Sequence, residues 1–223
     1  MSPAITRILA IRHGETDWNL DARIQGHTDI PLNAKGRWQA QQLAQALASE
    51  AIDVIYASDL SRAFETARAV GKIQRQRVIA VPMLRERHFG VFQGRQFKDI
   101  EVELPEQATR WRKRDVDFCP EGGESLQTFY DRCVSAAHLL ARAHPGQTVA
   151  LVAHGGVMDC LYRAALHIDL QAPRSWALGN ASINRLLHTG DGFTLVGWSD
   201  TAHLDQVVLD EIPDSLGQQS RHV

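Results

Sequence analysis

Two short apolar runs in this chain each end in a His-Gly pair, and no other feature constrains the fold as strongly. The first run, Ile8-Leu9-Ala10-Ile11, leads into Arg12-His13-Gly14-Glu15-Thr16. The second, Val149-Ala150-Leu151-Val152-Ala153, leads into His154-Gly155. Apolar runs of this length, without polar alternation, read as strands buried on both faces, as in parallel sheets. Such a strand delivers its last residues to the carboxyl edge of the sheet, where open α/β sheets bind ligands. Two strands of this kind can bring both imidazoles to one pocket. An arginine beside a histidine there presents an anion clamp and a nucleophile together, which suits phosphoryl transfer through a phosphohistidine.

The rest of the pattern agrees with an α/β sheet. Strands are expected over 6–11, 53–57, 77–81 and 149–153. Helices are expected from 34 to about 49 behind an Asn33 cap, and over 60–71, 125–143 and 157–166. The 125–143 helix carries the clearest apolar stripe, through Leu126, Phe129, Cys133, Ala137 and Leu140. Residues 183–188 and 193–198 flank Gly190-Asp191-Gly192 and read as a hairpin. The segment 90–123 is irregular, with short helices expected at 97–103 and 107–114. Strands alternating with helices imply a sheet covered on both faces. One domain over 1–223 is expected, with 90–123 as a lid or side wall and a frayed polar tail from Asp214.

Composition excludes several classes. The chain has 223 residues, 44% of them hydrophobic and 22% charged, as in globular proteins. A net charge of −2 gives no overall attraction for nucleic acid. The one dense basic cluster, Arg110-Trp111-Arg112-Lys113-Arg114, reads as a solvated helix face balanced by Asp115 and Asp117. The competing reading is an attractor for a second anionic group on a substrate. Cys119, Cys133 and Cys160 are odd in number and lack C-x-x-C spacing, so neither a disulfide framework nor a zinc site is expected. Reduced thiols, no secretory signal and no apolar stretch near ~18 residues point to the cytoplasm and to no membrane partner.

The chemistry-bearing residues form one coherent set. Arg12 and Arg62 are the candidate forks for a phosphate, Arg62 standing at a helix start where backbone N–H groups also favour anions. Asn19, Gln25, His154 and Gly155 complete the candidate substrate-binding set. His13 is the candidate nucleophile, kept neutral by its cationic neighbour, and His154 a charged donor to the phosphoryl oxygens. Glu86 is the candidate general acid for the leaving oxygen, then base for water. Glu15 is expected to orient the loop or His13. Glu124 and Ser125 read as a helix start or a pocket contact, and His27 and His88 as lining the pocket mouth. Phe89, Phe92 and Trp111 are candidate apolar walls. The two central histidines lack i, i+4 spacing, and two arginines would repel a cation. No metal and no cofactor are therefore expected.

Five blocks carry a family resemblance. They are Arg12-His13-Gly14-Glu15-Thr16 with Asn19, Ser58-Asp59-Leu60-Ser61-Arg62-Ala63 with Glu65-Thr66-Ala67, Leu84-Arg85-Glu86 with Gly90 and Gly94, Gly123-Glu124-Ser125, and Val152-Ala153-His154-Gly155-Gly156. In this order they resemble the histidine phosphatase superfamily, the phosphoglycerate mutase-like family, in its compact broad-specificity phosphatase branch. The resemblance implies a three-layer α/β/α sandwich with a mostly parallel central sheet. It also implies a phosphohistidine at His13 and a small phosphorylated metabolite as partner. Glu86-Arg87-His88-Phe89-Gly90 is close to the mutase pattern, with Phe89 where mutases commonly have Tyr. The stretch from Gly90 to Gly123 is short for a classical mutase, so a phosphatase is the favoured expectation. A cofactor-dependent phosphoglycerate mutase is the alternative, and a non-catalytic phosphate-binding module the third reading. A homodimer through the late hairpin stays open.

Overall fold

Successive residues of a strand face opposite sides of its sheet, so a strand with no polar position must be covered twice. Ile8–Ile11 of β1 (Thr6–Arg12) and Val149–Ala153 of β4 (Thr148–Ala153) are such runs. Ile8, Ala10, Val149, Leu151 and Ala153 enter one apolar cluster, and Leu9, Ile11, Ala150 and Val152 enter a second on the other face. The computed structural model describes residues 4–205, so the expected frayed tail lies outside the described residues.

The sheet has six strands in the order β3-β2-β4-β1-β5-β6. β2 (Val54–Ala57) and β3 (Val78–Ala80) continue the parallel part beside β4. β5 (Ile183–Thr189) and β6 (Gly192–Asp200) form the hairpin: β5 runs antiparallel to β1, and β6 pairs antiparallel with β5 at the sheet edge. The helices are α1 (Asp17–Leu20), α2 (Ala34–Ala46), α3 (Ser61–Gln74), α4 (Phe97–Glu103), α5 (Pro105–Arg112), α6 (Leu126–Arg142) and α7 (Gly155–Leu166). Leu43, Ala44, Ala67 and Val70 of α2 and α3 fill the second cluster. Phe129, Cys133, Ala137, Val157 and Leu161 of α6 and α7 fill the first. This is the expected three-layer α/β/α sandwich with a mostly parallel sheet.

Several boundaries differ from the pattern, each for a local reason. α2 ends at Ala46 rather than near 49, and the Leu47 carbonyl accepts from the Gln74 side chain at 2.6 Å. α3 runs past Gly71 because the left-handed stop falls at Arg75 (φ 55°). A Cβ at Gly71 would lie 2.8 Å from the Gln76 carbonyl oxygen, so this glycine serves a close contact, not a stop. α5 begins at Pro105, whose fixed φ suits a first turn, and ends two residues short of 114. α7 opens at Gly155, two residues earlier than its apolar period. α1 lies in the polar stretch 14–33, whose composition reads as turns. It is held by a capping box in which the Asn19 amide N–H donates to Thr16 Oγ1 (3.2 Å) and the Thr16 N–H to Asn19 Oδ1 (3.1 Å).

The 90–123 segment holds a third apolar cluster of its own. Phe92, Ile100, Ala108 and Phe118 are buried there, and Ile24 from the loop after α1 packs against them. Trp111 stacks on Phe89 at 4.9 Å and on Phe92 at 5.4 Å between ring centroids.

One close approach fixes the loop after β1. A Cβ at Gly36, in the first turn of α2, would overlap the Glu15 carbonyl oxygen and stand 2.7 Å from the Glu15 nitrogen. Both are backbone atoms with no rotamer to yield. Gly36→Ala is therefore expected to cost about 1–3 kcal/mol, as overpacking does. Chemical denaturation of the two proteins checks this, and an unchanged midpoint would contradict it.

Candidate active site

The parallel register of β1 on β4 pairs Arg12 with Ala153. The next residue of each strand, His13 and His154, therefore leaves the sheet at the same edge. The His13 N–H donates to the Ala153 carbonyl at 3.0 Å, and the two rings stand 5.2 Å apart between centroids. Both are buried. His13 Nδ1 lies 2.6 Å from the Gly14 carbonyl oxygen. A carbonyl only accepts, so Nδ1 carries the proton and Nε2 is left with a lone pair. Burial, then Arg62, then Arg12 hold His13 well below the usual histidine range, so it is in its nucleophilic form.

His154 Nε2 pairs with Ser58 Oγ at 2.8 Å, and its Nδ1 is buried without a partner among the described residues. Burial, then Arg62, push His154 well below the usual range too. Desolvation penalises the cation and so favours neutral His154 while the cavity holds no anion; the charged donor that was expected is the state beside a phosphoryl group. An anionic phosphoryl group would push it back up.

The clamp is built from both cores outward. Arg62 is the second residue of α3 and is 1% exposed. Its Nη1 donates to the Thr28 carbonyl (3.0 Å) and its Nη2 to the Gly26 carbonyl (2.8 Å), which leaves Nε buried without a protein partner among the described residues. Burial lowers its pKa to about 10 against the pull of Glu86, so the fork stays charged at neutral pH. Arg12 Nη1 donates to the Leu178 carbonyl, and its Nε is likewise buried and unpartnered. Asn19 Oδ1 accepts from Thr16 and from Asn180 Nδ2 (3.3 Å), which directs its acceptor into the protein. Arg12, His13, Asn19, Gln25, Arg62 and Glu86 line one cavity of about 150 Å³, with Phe89 at its wall. Gly155 does not line it. A Cβ there would sit in contact with the Arg12 guanidinium, 3.4 Å from Nε, so Gly155 packs against the clamp.

Glu86 is held by two backbone donors. Its Oε1 accepts from the Arg87 N–H at 2.8 Å and its Oε2 from the Gly156 N–H at 2.9 Å, in the first turn of α7. A Cβ at Gly156 would overlap Glu86 Oε1, so only glycine admits the carboxylate here. The Glu86 carbonyl accepts from His27 Nε2 (2.8 Å) and Arg132 Nη2 (3.2 Å). Arg132 also donates to the carbonyls of Met83 (2.7 Å) and Arg85 (3.0 Å). Glu124 pairs with Arg132 at 2.5 Å and accepts from the His88 N–H, so it steadies the acid loop and lies outside the cavity. Ser125 caps α6 through the Thr128 N–H. Glu15 reaches Asn33 and Lys35, which orients the loop and not His13. In the basic cluster, Arg110 pairs with Asp115 and Arg112 with Glu101 on the solvated side, whereas Trp111 packs into the 90–123 cluster and Arg114 pairs with buried Asp159.

Sequence reasoning missed Arg132, Asn180 and Arg87. Arg132 looks like an ordinary polar position beside Cys133 in the α6 stripe, and its partners lie far away in the chain. Arg87, read only as part of the acid block, donates to the Phe118 and Glu124 carbonyls. No local spacing signals any of these contacts.

With this geometry in hand, comparison with known proteins is decisive. The family model of the histidine phosphatase superfamily (branch 1) matches residues 8–201. The chain belongs to the histidine phosphatase superfamily. Two relatives from Arabidopsis thaliana are similar along most of their length. Phosphoglycerate mutase-like protein 4 is 41% identical, covering 89% of this chain and 87% of the relative. A metal-independent phosphoserine phosphatase is 39% identical, covering 91% and 85%. Among solved structures, a mycobacterial glucosyl-3-phosphoglycerate phosphatase in complex with VO3 superposes with a TM-score of 0.79 at 32% identity, over 88% of this chain and 99% of that one.

In this histidine phosphatase the two buried histidines tie stability to pH. Both have folded pKa values below the unfolded value of about 6.5. The unfolded chain then takes up protons that the folded one refuses, so stability present above about pH 6.5 is lost as pH falls below it. Calorimetric midpoints are expected to decline on the acid side, and less steeply for His154→Gln. An identical acid slope in the variant would contradict the burial argument.

Proposed function

We propose that this histidine phosphatase hydrolyses small phosphomonoesters in two steps, without a metal, through phosphohistidine at His13. The observation that carries the reading is the His13 Nδ1 contact with the Gly14 carbonyl, which leaves Nε2 unprotonated in a cavity shared with Glu86 and two arginines. Nε2 attacks phosphorus and the bond to the ester oxygen breaks. Glu86, in its acid form, gives the leaving oxygen its proton. Water then attacks phosphorus, Glu86 carboxylate takes the water proton, and the P–N bond breaks to restore His13. Arg12, Arg62 and Asn19 hold the phosphoryl oxygens, with His154 as a further donor. Preorganised charges of this kind act where negative charge moves in the transition state.

The Arabidopsis relative named as a metal-independent phosphoserine phosphatase and the mycobacterial phosphatase support hydrolysis. The mutase reading is supported by the Glu86–Gly90 pattern and by the Arabidopsis relative named mutase-like. Interconversion of 2- and 3-phosphoglycerate that needs 2,3-bisphosphoglycerate would decide for it. In the phosphatase reading, 90–123 is the side wall of a single domain, with Phe89 facing the substrate. No helix among the described residues is long and apolar enough to cross a membrane. The reading places the enzyme in the cytoplasm and assigns homodimerisation to β6, the sheet edge that exposes Val196.

His13→Ala is expected to abolish phosphate release in EDTA while the wild type keeps full activity there. Residual turnover in the variant would sink the phosphohistidine route. Glu86→Gln is expected to slow esters of poor leaving groups by about 10²–10⁴-fold, and p-nitrophenyl phosphate much less. Equal slowing of both substrates would remove Glu86 from the acid role.

A further inference from the structure

Asp159 lies on α7, outside the cavity, and is 6% exposed. Two cations share one of its oxygens. Oδ2 accepts from Arg163 Nε at 3.0 Å and from Arg114 Nη2 at 2.8 Å, while Oδ1 is buried without a partner among the described residues. Both arginines then reach the loop after α7. Arg163, fully buried, donates to the Asp169 carbonyl and to the Ala172 carbonyl (2.9 Å), and its guanidinium lies 4.8 Å from the Trp176 ring centre. Arg114 Nε donates to the Leu170 carbonyl at 2.6 Å. One carboxylate thus aims two forks at three carbonyls of one loop.

That loop returns to the reacting residues. Leu178 supplies the carbonyl that receives Arg12 Nη1. Asn180 Nδ2 donates to the His13 carbonyl at 3.0 Å and to Asn19 Oδ1, and the Ala181 N–H donates to the same His13 carbonyl at 3.1 Å. Arg114 belongs to the 90–123 segment, so the network also ties that wall to the loop. Arg114 occupies the left-handed region (φ 52°), where glycine or asparagine is at less cost. A side chain kept there against its backbone preference is kept for its contacts.

We infer that Asp159, through Arg114 and Arg163, is a positioning residue for phosphoryl transfer, because it fixes the loop whose Leu178 carbonyl aims the Arg12 guanidinium. The inference rests on the phosphatase reading of the cavity. It differs from a general stability role in one respect: most of the effect on phosphate affinity must pass through Arg12, the clamp side chain that the Leu178 carbonyl holds.

Arg114→Asn is the cleanest variant, since asparagine suits the backbone and the buried Asp159–Arg163 pair survives. Inorganic phosphate affinity by calorimetry and kcat/KM for p-nitrophenyl phosphate are the two readouts. With a thermal midpoint near the wild type, a loss of about tenfold in each is expected. In an Arg12→Ala background the same substitution is expected to cost clearly less phosphate affinity than in the wild type, because the clamp side chain that the loop holds is gone. Full additivity in that background, or wild-type values for a folded Arg114→Asn, would overturn the inference. Asp159→Asn is expected to act in the same direction and more strongly. Where it fails to fold, the Arg114 cycle decides alone. Calorimetry needs no turnover, so an inactive wild type would sink the hydrolytic reading, and the coupling would still be judged on binding.

Discussion

The site depends on one parallel register. Arg12 opposite Ala153 puts His13 and His154 side by side beyond the sheet, and nothing later in the chain could correct a slip. Moving either strand by one residue would turn every side chain to the other face. Ile8 and Leu9 would exchange cores, and the histidines would leave on different levels. The register is enforced by two full apolar clusters, one on each face, and not by any interaction within the site. The reacting groups are therefore placed by the bulk of the hydrophobic core.

Once placed, those groups acquire their character from burial. A chain of net charge −2 has no general attraction for anions, yet Arg12 and Arg62 converge on a cavity of about 150 Å³. Their charges and the loss of water depress both histidines, which serves His13 as a nucleophile. The acid is handled differently. Glu86 is anchored by backbone N–H groups from its own loop and from α7, and Arg132 ties that loop from below. Rigid dipoles and fixed charges of this kind need no rearrangement during the reaction.

Much of this was legible in the sequence because burial on both faces leaves a distinctive run of apolar residues, and because His13 and His154 follow directly on such runs. The Ser125 cap and the α4 limits also came from local rules. What was not legible follows a common physical logic. α1 buries none of its residues, so it has no apolar period to detect. Gly155 reads as a substrate contact by its position in a motif, and the fold sets it against the Arg12 guanidinium, a neighbour that only folding supplies. Arg132 and Asn180 act on residues separated by 46 and 167 positions, and such pairings exist only after folding. The burial of His154, which lowers its pKa, cannot be seen in one dimension.

The 90–123 segment, the side wall in the proposed reading, is packed around Phe92, Ile100, Ala108 and Phe118, a cluster distinct from both sheet cores. That separation has an evolutionary meaning. Apart from Arg114, which reaches out of the segment to Asp159 and Leu170, substitutions within the wall can be compensated inside the wall, without disturbing the register that places the histidines. The scaffold can thus exchange what it admits while the bond-breaking apparatus stays fixed, and divergence in diet need not be divergence in chemistry.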